Sequence, residues 1–414
     1  MTSHRVALFT DTFHEVNGVA LTCRQFAAFA EKRKLPFLRV HPGPQQGLRA
    51  ENGQRIFELP PSRASIGFEA DLRFDLLFLR HRAALRAALE RFQPTVIHVT
   101  APGHCSILGV ALAHELGIPL AASWHTNVHE FGARRLAVAL DAFPKGAVDR
   151  VESAVQSIIL KLACRFYRIA RLLFAPNPEL RQMLQARTGK PVYPMHRGVD
   201  LGLFHPRPGA RSAGAPLTIG YVGRLTPEKN VRLLRDIEQT LSAEGIEARF
   251  LIVGQGSERS WLESNLRNAV FPGVLRGEAL AEAYSSLDIF AFPSETDTYG
   301  NVVQEAKACG VPAVVTSGGG PKYLVHHEVD GLVTSNPAEF IASVRRLAQD
   351  RILRERMSAA ALAGAQSLSW DAVFESVYSA YGELPERSES TSEIRRDRTT
   401  PLPGRRATVS APRR

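Results

Sequence analysis

Two carboxylates and two cations stand out in the second half of the chain. In Ser294-Glu-Thr-Asp-Thr-Tyr-Gly-Asn-Val-Val-Gln-Glu-Ala-Lys-Ala-Cys-Gly310, Asp297 follows an apolar run and Glu305 lies eight positions on, inside the helix that comes next. Carboxylates accept hydrogen bonds from vicinal hydroxyls, so two acids facing one crevice suit a nucleotide sugar, with Asp297 on the transferred hexose and Glu305 on the ribose. Tyr299, Gly300 and Asn301 lead into that helix, whose first amides would face a phosphate. A solvated helix acid is the alternative for Glu305; against it, Ala306, Ala308 and Gly310 describe a helix packed closely on a sheet. Upstream, Gly223-Arg-Leu-Thr-Pro-Glu-Lys-Asn230 places Arg224 and Lys229 where two cations can converge on a diphosphate, with Pro227 and Asn230 suiting a loop-to-helix transition. A pair of exposed basic residues on a loop is the other reading.

The first half offers weaker signals. Asn17-Gly18 follows the first apolar run and would open a helix whose N-terminus can hold an anion. A turn glycine without a ligand would look the same. His125 stands at the end of another apolar run, where open α/β sheets bind ligands. His125 and His129 are four apart but lack the acid of an H-E-x-x-H pair, so no metal is assigned to them. Gly254-Gln-Gly256 would let the backbone lie close to a nucleotide. No G-x-S-x-G elbow, no G-x-x-x-x-G-K-[ST] loop and no G-x-G-x-x-G after the first run occurs, which argues against serine hydrolases, phosphate-loop nucleotidases and dehydrogenases.

These residues need strands and helices to hold them. Short, wholly apolar runs recur at Val6 to Phe9, Thr95 to Val99, Leu120 to Ser123, Arg171 to Ala175, Leu217 to Val222, Ala248 to Val253, Asp288 to Phe292 and Ala313 to Thr316, with helical stretches between. Strands buried on both faces of a parallel sheet read this way, and the alternation predicts βαβ units. Phe204 to Pro216 is rich in Pro, Gly, Ser and Ala and reads as a linker. The parse is therefore an α/β domain over 1–204, a linker over 205–216 and a second α/β domain over 217–368. A helix over 369–382 follows, with apolar residues at 370, 373, 374, 377, 378 and 381 and Ser369 as its N-cap. The Pro-, Ser-, Thr- and Arg-rich tail over 383–414 has too few apolar residues to fold.

With 414 residues, 44% hydrophobic and 22% charged, the chain can bury ordinary cores. Four scattered cysteines, no export signal and no long apolar run predict a reduced, cytoplasmic protein that does not span a membrane. The net charge of +10 is unevenly placed: residues 1–200 already carry that whole excess, 201–382 are slightly acidic, and 383–414 are basic again. Such a half suits an anionic partner, either a phosphorylated substrate or a lipid surface, or else merely has arginine-rich solvated faces. The segment Phe68 to Arg82 mixes large apolar residues with Arg73, Arg80 and Arg82, and reads either as an ordinary core helix or as an element lying on an anionic membrane. Aromatics are only 8% and do not interleave with the basic residues, which argues against nucleic acid.

Together these segments resemble family 4 retaining glycosyltransferases. The family's E-x7-E stands here as Asp297-x7-Glu305, the first acid shortened by one methylene. Asn17-Gly18-Val19, Gly223-Arg224-Leu225 with Glu228-Lys229, Arg197-Gly-Val-Asp200 with Phe204, and Gly318-Gly-Gly-Pro321 carry the rest of the resemblance. It implies a GT-B fold, two Rossmann-like domains facing across a cleft, with the last helix crossing back to the first domain. It also implies transfer of a hexose, mannose or glucose, from a GDP- or UDP-sugar to a lipid or glycan acceptor, with retention and without a metal or other cofactor. In that reading Arg224 and Lys229 stabilise the leaving diphosphate, His125 and Asp297 contact the sugar, and Glu305 holds the ribose. Asn17, Gly18, Gly254, Arg276, Tyr299, Gly300 and Asn301 complete the donor site, the base being read near Leu275 and Arg276. The enzyme would act in the cytoplasm, at the inner membrane face where the acceptor is a lipid. A nucleotide-sugar epimerase or sugar phosphorylase on the same fold, and a non-catalytic nucleotide-sugar-binding protein, are the alternatives.

Overall fold

The computed structural model describes residues 4–385 except 16, 52, 70, 71, 126–144, 212, 213, 215 and 367. The first half runs β1 (Val6–Phe9), α1 (Gly18–Lys32), β2 (Phe37–Pro42), β3 (Gly47–Glu51), β4 (Gln54–Leu59), β5 (Ser65–Glu69), β6 (Leu72–Asp75), α2 (Arg82–Phe92), β7 (Val96–Val99), α3 (His104–Leu116), β8 (Leu120–Ser123), α4 (Lys145–Tyr167), β9 (Leu172–Ala175), α5 (Pro178–Thr188) and β10 (Val192–Pro194). Eight of these strands form one sheet in the order β10-β9-β8-β7-β1-β2-β4-β3, parallel throughout except for β3. Strands β1, β7, β8 and β9 are buried along their whole length, as strands covered by helices on both faces must be.

The second half runs β11 (Leu217–Val222), α6 (Leu233–Ala243), β12 (Ala248–Val253), α7 (Arg259–Asn265), β13 (Ala269–Gly273), α8 (Gly277–Ser285), β14 (Ile289–Phe292), α9 (Asn301–Ala308), β15 (Ala313–Thr316), β16 (Gly331–Thr334), α10 (Pro337–Gln349) and α11 (Arg351–Ala365). Its six strands form a second, wholly parallel sheet in the order β13-β12-β11-β14-β15-β16. Strand order reverses between β11 and β14, and such a switch point opens a crevice at the strands' C-terminal ends. Tyr221, Phe250, Phe290 and Phe340 fill the core of this half.

The last helix, α12 (Trp370–Tyr381), lies on the first domain although it follows the second in sequence. Ser369 caps it by accepting from the amide of Ala372 at 3.2 Å. Phe374 stacks on Phe26 of α1 with ring centroids 4.5 Å apart and planes 3° from parallel. Trp370, Val377 and Tyr381 join Val6, Phe29 and Phe37 in the same core, so this helix buries its stripe against the face of the first sheet that α1 covers.

All eight apolar runs are strands, within a residue of the expected bounds. Strands β2 and β4 had no such signal because Arg39 and His41 interrupt one and Arg55 and Glu58 the other. The segment over 68–82 is not the one core helix that the first reading of it expected. It holds the second strand of a hairpin with β5, a 3-10 turn at Phe78–His81 and the start of α2. Arg80 and Arg82 are engaged by Asp75 and Glu115, so neither is a bare cation turned to a lipid surface. All four cysteines are buried free thiols. The expected unfolded tail falls, from residue 386 onward, outside the described residues, as does His129.

Candidate active site

The second domain supplies the charges. After β11 the chain makes one 3-10 turn at Pro227–Lys229, closed by Asn230 in the left-handed conformation at φ +52°. That turn buries Lys229 to 5% exposure and sets its Nζ 2.7 Å from Oδ2 of Asp297, on the loop after β14. Burial pushes the Asp297 carboxyl up, but the charge and hydrogen bond of Lys229, with the Arg224 charge, outweigh it and hold the group below its ordinary value. Asp297 is therefore an anion at neutral pH. Arg224 stands exposed on the same loop as Lys229, 3.9 Å from Glu228, and the buried Tyr221 hydroxyl pins its carbonyl at 2.8 Å.

Glu305, in the second turn of α9, is in a different state. Tyr284 donates to its Oε2 at 2.8 Å, yet burial pushes the carboxyl up to about 7. The two acids of the motif are thus an ionised one beside a lysine and one poised to titrate near neutrality, the separation that tuned sites exploit. Both sit at the C-terminal edge of the second sheet, at its switch point.

Two helix N-termini meet here. Asn17 caps α1, accepting from the amide of Ala20 at 2.9 Å, so its side-chain oxygen is spent on the helix. Helix α9 has no side-chain cap, and Gly300 before it takes φ +98°, where a Cβ would come within 3.0 Å of Pro321. A Cβ on Gly18 would lie 3.5 Å from Nδ2 of Asn301, so the start of α1 in one domain faces the start of α9 in the other. Aligned amides at two such termini favour an anion between them. Arg24 of α1 adds a cation that the sequence did not announce; burial lowers its pKa and the like charge of Arg276, across the domain seam, lowers it further. Arg276 itself is exposed at the start of α8.

Three expected contacts come out differently. A Cβ on Gly254 would sit 1.9 Å from the carbonyl oxygen of Gly223, so this glycine lets two loops of the second domain pack backbone to backbone, and the close approach is to protein. Tyr299 is buried, with its hydroxyl donating to the carbonyl of Arg197 at 3.2 Å and accepting from Gln304 at 2.9 Å. His125 is buried with both ring nitrogens inside the protein: Arg197 donates to Nδ1 at 2.7 Å and Ser123 Oγ lies 2.5 Å from Nε2. No ring nitrogen is left to hydrogen-bond a sugar. Burial, then the charges of Arg197 and His98, push its pKa well below the ordinary value, so the ring is neutral.

From Ser123 the hydrogen-bonded chain continues to Nε2 of His98 at 2.8 Å and through Nδ1 of His98 to the Tyr381 hydroxyl on α12. At its other end Thr298 donates to the His125 carbonyl at 2.7 Å, and Asn177 donates to the Thr298 carbonyl at 2.7 Å. One polar network therefore links the crossing helix, the first sheet and the loop that carries Asp297. Sequence spacing could not show this, because its members come from six separate segments.

Two parallel-sheet domains that meet at the C-terminal ends of their strands, tied by a helix returning to the first, define a GT-B glycosyltransferase. Comparison with known proteins makes the class specific. Residues 16–203 match the pattern of Glycosyltransferase Family 4, and residues 216–350 that of Glycosyl transferases group 1. A GDP-mannose-dependent alpha-mannosyltransferase of Mycolicibacterium smegmatis is 31% identical over 83% of this chain and 90% of its own length. The protein of that description from Mycobacterium tuberculosis is 31% identical over 80% of this chain and 83% of its own. Among solved structures, sucrose-phosphate synthase of Thermosynechococcus elongatus superposes with a TM-score of 0.68 at 17% identity, over 91% of this chain and 98% of that one. HepE of Anabaena, in complex with UDP and glucose, does so with a TM-score of 0.62 at 16% identity, over 92% and 100%. The chain belongs to family 4 of the glycosyltransferases and is an enzyme of that kind. Among the described residues no helix is long and apolar enough to cross a membrane.

Proposed function

We propose that the protein is a retaining hexosyltransferase that takes mannose from GDP-mannose and passes it to a hydroxyl of a lipid or glycan acceptor. The observation that carries this reading is the buried Lys229 beside Asp297, set where the N-termini of α1 and α9 meet, in a chain whose relatives over four-fifths of its length are named for GDP-mannose. A departing nucleoside diphosphate gathers negative charge on its oxygens. Lys229 and Arg224 meet that charge, with the amides that open α9, and preorganised cations count for most in a site that excludes water. Asp297 accepts from sugar hydroxyls, and Glu305 from the ribose.

No side chain is assigned as a nucleophile. The acceptor hydroxyl attacks from the face the diphosphate leaves, its proton passing to the departing phosphate oxygen, so the C–O bond that forms lies on the side of the one that breaks. The transfer step uses protein charges and no metal. The enzyme works on the cytoplasmic side of the membrane, where a lipid acceptor would be reached from water.

Calorimetry against GDP-, UDP- and ADP-hexoses, followed by product analysis with lipid and glycan acceptors, tests the proposal. GDP-mannose binds best, the product keeps the anomeric configuration, and Lys229→Ala and Glu305→Ala abolish binding. A mannosyl group trapped covalently on Asp297 or Glu305 would overturn same-face attack. Consumption of donor without acceptor, or only with inorganic phosphate, would turn the reading to an epimerase or a phosphorylase.

A further inference from the structure

Three neighbouring strands of the first sheet each deliver a metal-type ligand at their C-terminal ends, and the donor chemistry uses none of them. His41 on β2 and Glu58 on β4 are register partners in a parallel pair, so both side chains leave the same face, and both are buried. His14 lies five residues beyond the end of β1, the strand on the other side of β2, and is exposed. One ligand atom from each of the three falls within 4.8 Å of the other two.

The ring of His41 is prepared for a ligand's role. Its Nδ1 lies 3.0 Å from the carbonyl oxygen of Pro42. A carbonyl only accepts, so the hydrogen is on Nδ1 and the lone pair is on Nε2. That Nε2 is buried with no hydrogen-bond partner, although the residue is wholly inside the protein. An orphaned buried acceptor is costly, while a ring fixed by a carbonyl on one nitrogen and bare on the other is the usual state of a metal-bound histidine. Phe13 stacks on the ring at 4.5 Å and 7°, and His14 stands edge-on to it at 5.1 Å. Glu58 is held in turn: Arg49 donates to Oε1, and the amide of Gln45 donates to Oε2 at 2.9 Å. Those bonds orient the carboxylate and leave each oxygen a further lone pair.

We propose that His14, His41 and Glu58 bind one divalent transition ion of the zinc type, with a fourth position open. Two imidazoles and a carboxylate are a zinc donor set, and three protein ligands leave room for water or a ligand hydroxyl. Bonds of about 2.0–2.2 Å require the ligand atoms to close to roughly 3.3 Å of one another, and rotation of the exposed His14 side chain supplies that movement. The site is independent of the donor reading, and its test contains no sugar.

The full chain is stripped with chelator, dialysed against zinc chloride and then against zinc-free buffer, and assayed for metal by mass spectrometry. Wild type retains one ion per chain. His14→Ala removes an exposed ligand that the fold does not need, and Glu58→Gln keeps the shape of the side chain; both lose the ion, weakening it beyond the ~10–100-fold that loss of an outer partner costs. Cobalt in place of zinc gives the visible absorption of a four-coordinate site in wild type and not in His14→Ala. Wild type without retained zinc, or a folded His14→Ala that retains as much as wild type, overturns the proposal.

Discussion

Arg197 donates to Nδ1 of His125 at 2.7 Å, and both residues are buried. A guanidinium only donates, so His125 must carry its hydrogen on Nε2 and give it to Ser123. The contact fixes the tautomer of the residue just past β8, and its charge adds to the burial that keeps the ring neutral. Arg197→Met removes the donor and a charge that lowers the His125 pKa. The expected outcome is a His125 pKa that moves up towards its ordinary value, with loss of the fixed tautomer, both read from imidazole nitrogen shifts in an NMR pH titration. An unchanged tautomer would show that Ser123 alone sets the ring.

Lys229 is a buried cation of the proposed donor site, and its partner is an acid of the motif itself. In Lys229→Met the turnover of donor falls by ~10²–10³, the cost typical of losing one preorganised group that meets developing charge. Asp297 then loses the charge that holds it down, and its pKa rises. The two effects separate in Asp297→Asn, which keeps Lys229 and weakens hexose contacts without removing diphosphate affinity. Binding of GDP against GDP-mannose, by calorimetry, checks this: Asp297→Asn loses most of the difference between them, and Lys229→Met loses both.

Burial brings the titration of Glu305 up to near neutral pH. Its pKa of about 7 in the folded protein, against an ordinary 4.5, means that the folded state holds a proton the unfolded state has lost between those values. This group's contribution to stability is present at pH 4.5 and is lost as pH rises to about 7. Ribose hydroxyls need the carboxylate, so donor affinity runs the other way and strengthens as pH rises through 7. Glu305→Gln flattens both dependences. Melting curves and donor titrations from pH 5 to 8 check the two slopes, and a wild-type donor affinity that weakens over that range contradicts the assignment.

The site was legible where local chemistry is written in local sequence. Asp297, Arg224 and Lys229 are charges in segments that directly follow apolar runs, Glu305 lies on the helix that follows Asp297, and the sheet's switch point brings these segments to one edge. What could not be read is what each group spends itself on. Asn17 caps a helix, Gly254 admits the backbone of Gly223, and the hydroxyl of Tyr299 reaches Arg197, each a long-range or backbone partner that spacing does not show. His98 was missed for the same reason, and Arg197 stood in a motif without a role, since each acts through a residue far away in sequence. The fold divides similarly: β1, β7, β8 and β9 announce themselves as apolar runs, whereas β2 and β4 carry Arg39, His41, Arg55 and Glu58.

The crossing helix allows buried and exposed contacts to be weighed in one element. Phe374 is wholly buried and stacked on Phe26, whereas Glu375, one residue on, pairs with Arg33 on the surface, where both side chains are more than two-fifths exposed. Phe374→Ala leaves a cavity between α1 and α12 and costs about 3–5 kcal/mol. Glu375→Ala removes only a solvated ion pair, worth ~0–1 kcal/mol and less in salt. Urea titrations of the two variants give that ordering directly. Because Tyr381, at the end of this helix, reaches Ser123 through His98, Phe374→Ala also reduces turnover at temperatures where it stays folded, and Glu375→Ala does not. Equal losses of activity in the two variants would mean that the surface pairs, and not the buried stack, seat the helix on the first domain.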